Sequence, residues 1–221
     1  MKKSTFLGCL LLVIAIVGRA QTQFWSDTFE DLGAPSSGMR DAENNGGVTN
    51  IPFTSYFIRT NSIQISTNPL YSSIQGSKFW AGENHSVAFG AGKEEQQIEY
   101  IGINISGKAD LSFKGLFAAN ASSKAWESKS DYVIVEYRID GGNYKPLLQF
   151  FSNGNDKNLS EDTDGDSIGD GAVLIPEFSE RSKTITGTGA KLDLRIRAYS
   201  NEAVNLQQKS GQKVKRHFLV A

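Results

Sequence analysis

Between Glu161 and Gly171 the chain packs five carboxylates. Four of them, Asp162, Asp164, Asp166 and Asp170, stand at relative positions 1, 3, 5 and 9. A looped backbone can bring residues at that spacing around one cation, and a main-chain carbonyl near Ile168 adds another oxygen. Hard oxygen donors of this kind suit Ca²⁺. Crowding carboxylates together is costly unless a cation or water screens them. Position 6 is Ser167 rather than glycine, and position 12 is Val173 rather than glutamate, so the pattern is not an EF-hand. Two readings fit these residues: a structural calcium loop, and a solvated acidic loop between strands. Neither is catalytic, because no nucleophile with a partner stands nearby.

Other signs of catalysis are sparse. The chain has two histidines, His85 and His217, and one cysteine, Cys9, and it has no Gly-x-Ser-x-Gly elbow. Cysteine nucleophiles, most zinc sites and an ordinary serine triad are therefore poorly supplied. A carboxylate pair for glycoside cleavage is not visible as a local motif, which leaves a hydrolase as the third reading, behind a binding module and a structural envelope component.

Aromatic residues are a stronger lead to binding. The sequence holds 3 Trp, 13 Phe and 7 Tyr, most of which a β-rich core would absorb. Trp126 lies in a polar stretch, Asn120 to Ser130, where its ring either caps the core or stands exposed to stack on a sugar or protein partner. Phe79 to His85 reads as a strand running into a loop. There Glu83 and His85 are candidates for touching a ligand or metal, with strand-end hydrogen bonding as the plainer role. The Asn-x-Ser/Thr sequences at Asn84, Asn104, Asn120 and Asn158 are read as chance.

The elements that must carry these residues follow an export signal. Lys2 and Lys3 precede an apolar run from Leu10 to Val17, and Gly18-Arg19-Ala20 offers small residues before a cut, so residues 1–20 read as a signal peptide and 21–221 as one domain. Cys9 precedes the apolar run rather than following it, which argues against lipidation. Cleavage removes Cys9, so no disulfide is expected. It also removes Lys2, Lys3 and Arg19, leaving 20 basic residues against 24 acidic ones, a net charge near −4. That balance argues against general nucleic-acid binding. No later apolar stretch is long enough for a membrane helix, so no membrane insertion is expected after cleavage. The expected location is extracellular, secreted or at the cell surface.

Period-two alternation then predicts strands. Val133, Val135, Tyr137 and Ile139 share one face of a strand over 132–139; Asp140-Gly141-Gly142-Asn143 turns the chain, and 144–151 returns, with Pro146 marking an edge or a bulge. Leu192, Leu194, Ile196 and Ala198 alternate with Asp193, Arg195 and Arg197, while Leu111, Phe113 and Gly115 mark a third strand. Less regular candidates are 24–30, 53–58, 62–66, 78–81, 97–105, 172–178 and 182–186. From Lys213 a last, basic strand follows a polar stretch, 201–212. No stretch of twelve or more residues holds a helical period. The expected fold is all-β: a two-layer antiparallel sandwich of jelly-roll, galactose-binding-like type.

Several segments together carry a family likeness. Phe29-Glu30-Asp31, Gly76-Ser77-Lys78-Phe79-Trp80-Ala81, Ile103 to Gly107, Asp131 to Gly142, the acidic loop and Leu192 to Ile196 resemble an uncharacterised jelly-roll module. That module is found in secreted surface proteins of bacteria with type IX secretion, and is similar in plan to MAM, cleaved-adhesin and carbohydrate-binding modules. The resemblance implies a binding or adhesion role towards a glycan or a cell-surface protein. In that family the glutamate matched by Glu30 can share a structural cation with an acidic residue of the last strand. Here Arg216 and His217 stand in the acidic places, so the resemblance implies an ion pair between Glu30 and Arg216 instead. With no sorting or adhesive domain before Ala221, the expectation is a stand-alone module or one part of a longer design.

Overall fold

Alternating apolar and polar residues give a pleated strand one dry face and one wet face, and most of this chain is built that way. The computed structural model describes residues 23–30, 39–42, 55–61, 71–121, 126–127, 129–153, 158–200 and 216–220. The expected signal peptide and the 62–66 strand fall outside them. In chain order the elements are β1 (Met39–Ala42), β2 (Tyr56–Thr60), β3 (Phe79–Glu83), α1 (His85–Phe89), β4 (Glu95–Asn104), β5 (Ser112–Ala121), β6 (Tyr132–Ile139), β7 (Lys145–Ser152), β8 (Leu159–Glu161), β9 (Ser179–Thr184), β10 (Lys191–Tyr199) and β11 (Arg216–Val220).

The strands form two antiparallel sheets. Sheet A has the order β1-β4-β10-β6-β7-β8 and sheet B the order β2-β3-β11-β5-β9. The chain is an all-β sandwich. Its β6–β7 hairpin follows the sequence closely: Asp140 and Gly141 both take positive φ, 49° and 75°, as the centre of a type I′ turn demands. The Gly142 N–H closes that turn on the Ile139 carbonyl at 3.0 Å. The register then shifts between Val135 and Glu136, which puts Pro146 beside a bulge, and since β8 pairs only with Phe150 to Ser152, Pro146 also stands where β7 has no strand on its other side.

Between the sheets lies the main core. Val133, Val135 and Tyr137 of β6 and Leu192, Leu194 and Ile196 of β10 face Phe57, Trp80 and Phe117 of sheet B, all buried. The rings of Phe117 and Phe150 meet across the gap with centroids 5.1 Å apart. A second cluster, with Tyr56, Tyr71, Phe79 and Phe178, covers the other face of sheet B. Segments around residues 71–78 and 172–178 lie over that face, joined by Ser72 N–H to the Pro176 carbonyl and Phe178 N–H to the Ser72 carbonyl.

Three local expectations change. Residues 24–30 form no strand, although Phe29 is buried against Trp80. Segment 172–178 makes only isolated bridges, because it leaves one sheet to join the other: Leu174 N–H bonds the Leu159 carbonyl of β8, and the Ile175 carbonyl accepts from Ala119 N–H of β5. After β3 the chain enters the single-turn α1 rather than a loop, through Asn84 at φ 46°.

The core predicts a sharp contrast between two positions. Phe150 is fully buried and Ile101 is 41 % exposed. Phe150→Ala should lower the unfolding free energy by about 3–5 kcal/mol and Ile101→Ala by less than about 1 kcal/mol. Urea unfolding followed by tryptophan fluorescence measures both, and equal losses would contradict this assignment of the core.

Candidate functional site: the acidic hairpin loop

The acidic loop is the connection of a small hairpin. Glu161 N–H bonds the Ala172 carbonyl and Gly171 N–H bonds the Glu161 carbonyl, so β8 and residues 172–174 hold the loop at both ends. Asp162 organises its interior. It is 7 % exposed; Oδ1 accepts from Gly165 N–H at 2.7 Å and Oδ2 from Ser167 N–H at 2.9 Å. Asp164 accepts from Asp166 N–H at 3.3 Å, and Asp166 from Ile168 N–H at 2.8 Å. Positive φ at Gly165 and Ser167, 85° and 66°, lets the main chain turn its N–H groups inward.

These turns bring one carboxylate oxygen each from Asp162, Asp164 and Asp166 within 4.8 Å of one another. Two oxygens bound to one Ca²⁺ at about 2.4 Å each stand at most about 5 Å apart, so the spacing matches a shared cation. Asp170 does not join them, contrary to the sequence pattern. Both its oxygens accept from Thr163 Oγ1 at 2.9 Å, and Oδ1 also accepts from Thr163 N–H at 2.9 Å. These bonds hold its carboxyl below the usual range, and Asp170 locks the neck of the loop. Ile168 contributes its N–H to Asp166.

The other ligand candidates are buried. Trp126 is 1 % exposed and belongs to the main core, so its ring is not offered to a sugar. The chain folds back there because Asp131 accepts from Glu127 N–H at 2.9 Å and returns its own N–H to the Glu127 carbonyl. Glu83, 1 % exposed, stands opposite Tyr56 in the register of β2 and β3, on the outer face of sheet B. Burial, with the charge of Glu83 added, pushes the Tyr56 and Tyr71 hydroxyls well up. His85 is fully buried, its Nδ1 2.9 Å from the Glu94 carbonyl and its ring against Phe57 and Phe89. Burial pushes its pKa down to about 4 against the opposing pull of the Glu94 and Ala198 backbone. It is a neutral core histidine.

The sequence matches no protein-family model and no curated protein.

Glu30 is held elsewhere than the resemblance implied. Its carboxylate accepts from Ser77 N–H at 2.6 Å, Ser77 Oγ at 2.7 Å and Lys78 N–H at 3.0 Å, just before β3. The Ser77 hydroxyl, followed by the two N–H groups, keeps this carboxyl below its ordinary range. The side chain of Arg216 lies outside the described residues, but its place in β11 is set by register. Arg216 stands opposite Ala121 of β5, and Phe218 opposite Gly82 of β3. The expected ion pair between Glu30 and Arg216 therefore lies outside the described residues. Gly76, at φ 77°, has Glu30 where a Cβ would project.

A charged lattice on the outer face of sheet A is absent from the motif-based reading. Arg197 donates to both oxygens of Glu136 at 2.8 and 3.1 Å and to Glu95 at 2.7 Å, while Arg195 reaches Glu136 at 2.7 Å. Burial opposes the charge on Glu136, but the Arg197 and Arg195 hydrogen bonds and charges outweigh it and lower its pKa. The Tyr132 and Tyr144 hydroxyls donate to Glu95 and Glu99, and Arg195 lies 3.9 Å from the Tyr144 ring centroid. The polar phases of the strand alternations contain these residues, and only pairing brings them together.

Two results should follow. Unfolded His85 binds a proton near pH 6.5 and folded His85 near pH 4. Its contribution is therefore complete above about pH 6.5 and declines as pH falls towards 4, by up to about 3 kcal/mol. Urea unfolding between pH 7 and 5 should show this slope, and His85→Gln should flatten it; a slope unchanged by the substitution would refute the assignment. Secondly, Gly76→Ala should depress the urea midpoint less in a Glu30→Ala background than in the native one, because the obstructing carboxylate is gone. Equal depressions would show that Glu30 does not fill that space.

Proposed function

We propose that this chain is a secreted, extracellular binding or adhesion module whose loop 162–170 takes one structural Ca²⁺. The observation that carries the metal is the convergence of Asp162, Asp164 and Asp166 on a hairpin loop already shaped by its own N–H groups. Three carboxylates fall short of the six to eight oxygens Ca²⁺ takes, so water or main-chain oxygen completes the shell. Export is supported by the charged, apolar and small-residue order of residues 1–20. Binding rather than catalysis is supported by the state of His85, which is sealed in the core and held neutral.

The proposed fold type is a jelly roll, in keeping with the resemblance to secreted surface modules. A cell-surface protein fits better than a glycan as the partner. Of Phe24, Ile101, Val173 and Ile175, the large apolar residues exposed among those described, three are aliphatic and offer no ring for a sugar to stack on. Trp126, the ring the sequence suggested for that purpose, is in the core.

Calcium should raise the melting temperature, because a ligand bound only by the folded state adds about 2.7 kcal/mol at a hundredfold excess over Kd. Chelator should reverse the shift, and Asp164→Ala with Asp166→Ala should abolish it. A melting curve indifferent to calcium and chelator would overturn the metal assignment. For the partner, purified protein should bind whole cells in a manner sensitive to protease treatment of those cells. Binding that survives protease and is competed by free sugars would reverse the choice of partner.

A further inference from the structure

We draw no further inference here: the strongest candidate, the buried cluster of Glu83, Tyr56 and Tyr71 on the outer face of sheet B, carries nothing because all three are sealed from solvent and the next position in register, His217 of β11, has its side chain outside the described residues.

Discussion

The contact between Phe117 of β5 and Phe150 of β7 lies where the two sheets close on each other. Apolar burial of this kind must supply most of the stability, since one cysteine, Cys9, allows no disulfide within the chain. The sheets are also joined by main chain. Residues 172–174 pair with β8 at the edge of sheet A, and Ile175 then bonds β5 of sheet B. Lys183 of β9 reaches Glu161 of β8 at 2.6 Å across the same corner. The ring contact therefore fixes the separation of the sheets, and the corner covers the edge that β8 would otherwise expose.

Once the inner faces are apolar, the ionisable groups must reach solvent, find partners or stay uncharged. Glu136 does the second: two arginines surround a carboxylate whose charge burial opposes. His85 takes the third course and stays uncharged, because the Glu94 carbonyl can satisfy its N–H without a charge. Glu30 remains at the surface, but it converts its charge into order by collecting three hydrogen bonds from the turn before β3. Arg59 donates to the Phe29 and Glu30 carbonyls and holds that segment against β2. One local sequence, Phe29-Glu30, thus supplies a core ring and a turn anchor.

What could be read from sequence was whatever depends on neighbours along the chain. β6 and β10 were legible because Val133, Val135 and Tyr137, and Leu192, Leu194 and Ile196, stand at alternate positions and pack into the core, and the Asp140-Gly141 turn announces the hairpin through its need for positive φ. Segment 172–178 was harder, since it changes sheets midway and keeps no single dry face. For Trp126 the polar sequence around it left capping of the core and exposure both open, and the ring's apolar neighbours in space decide for the core. The place of Glu30 was hidden for a related reason: its partners Ser77 and Lys78 stand 47 and 48 residues further along the chain, and only the fold brings them to it. Of the acidic loop, the sequence showed the crowding of Asp162, Asp164 and Asp166, but not that Thr163 withdraws Asp170 from them.

That withdrawal bears on how the loop would accept a cation. A carboxylate oxygen has two lone pairs, and a hydrogen bond from a main-chain N–H leaves one for a metal. The two oxygens of Asp162 are each directed by an N–H from the loop, yet neither is saturated. Asp170 and Thr163 close the neck independently of those oxygens, so the backbone holds its turn while the charges are brought together. Much of the ordering cost of binding would therefore be met by folding, which favours affinity through preorganisation rather than through ligand number. Under the calcium assignment proposed above, a divalent cation would screen the charges that the loop gathers without a large movement of the chain.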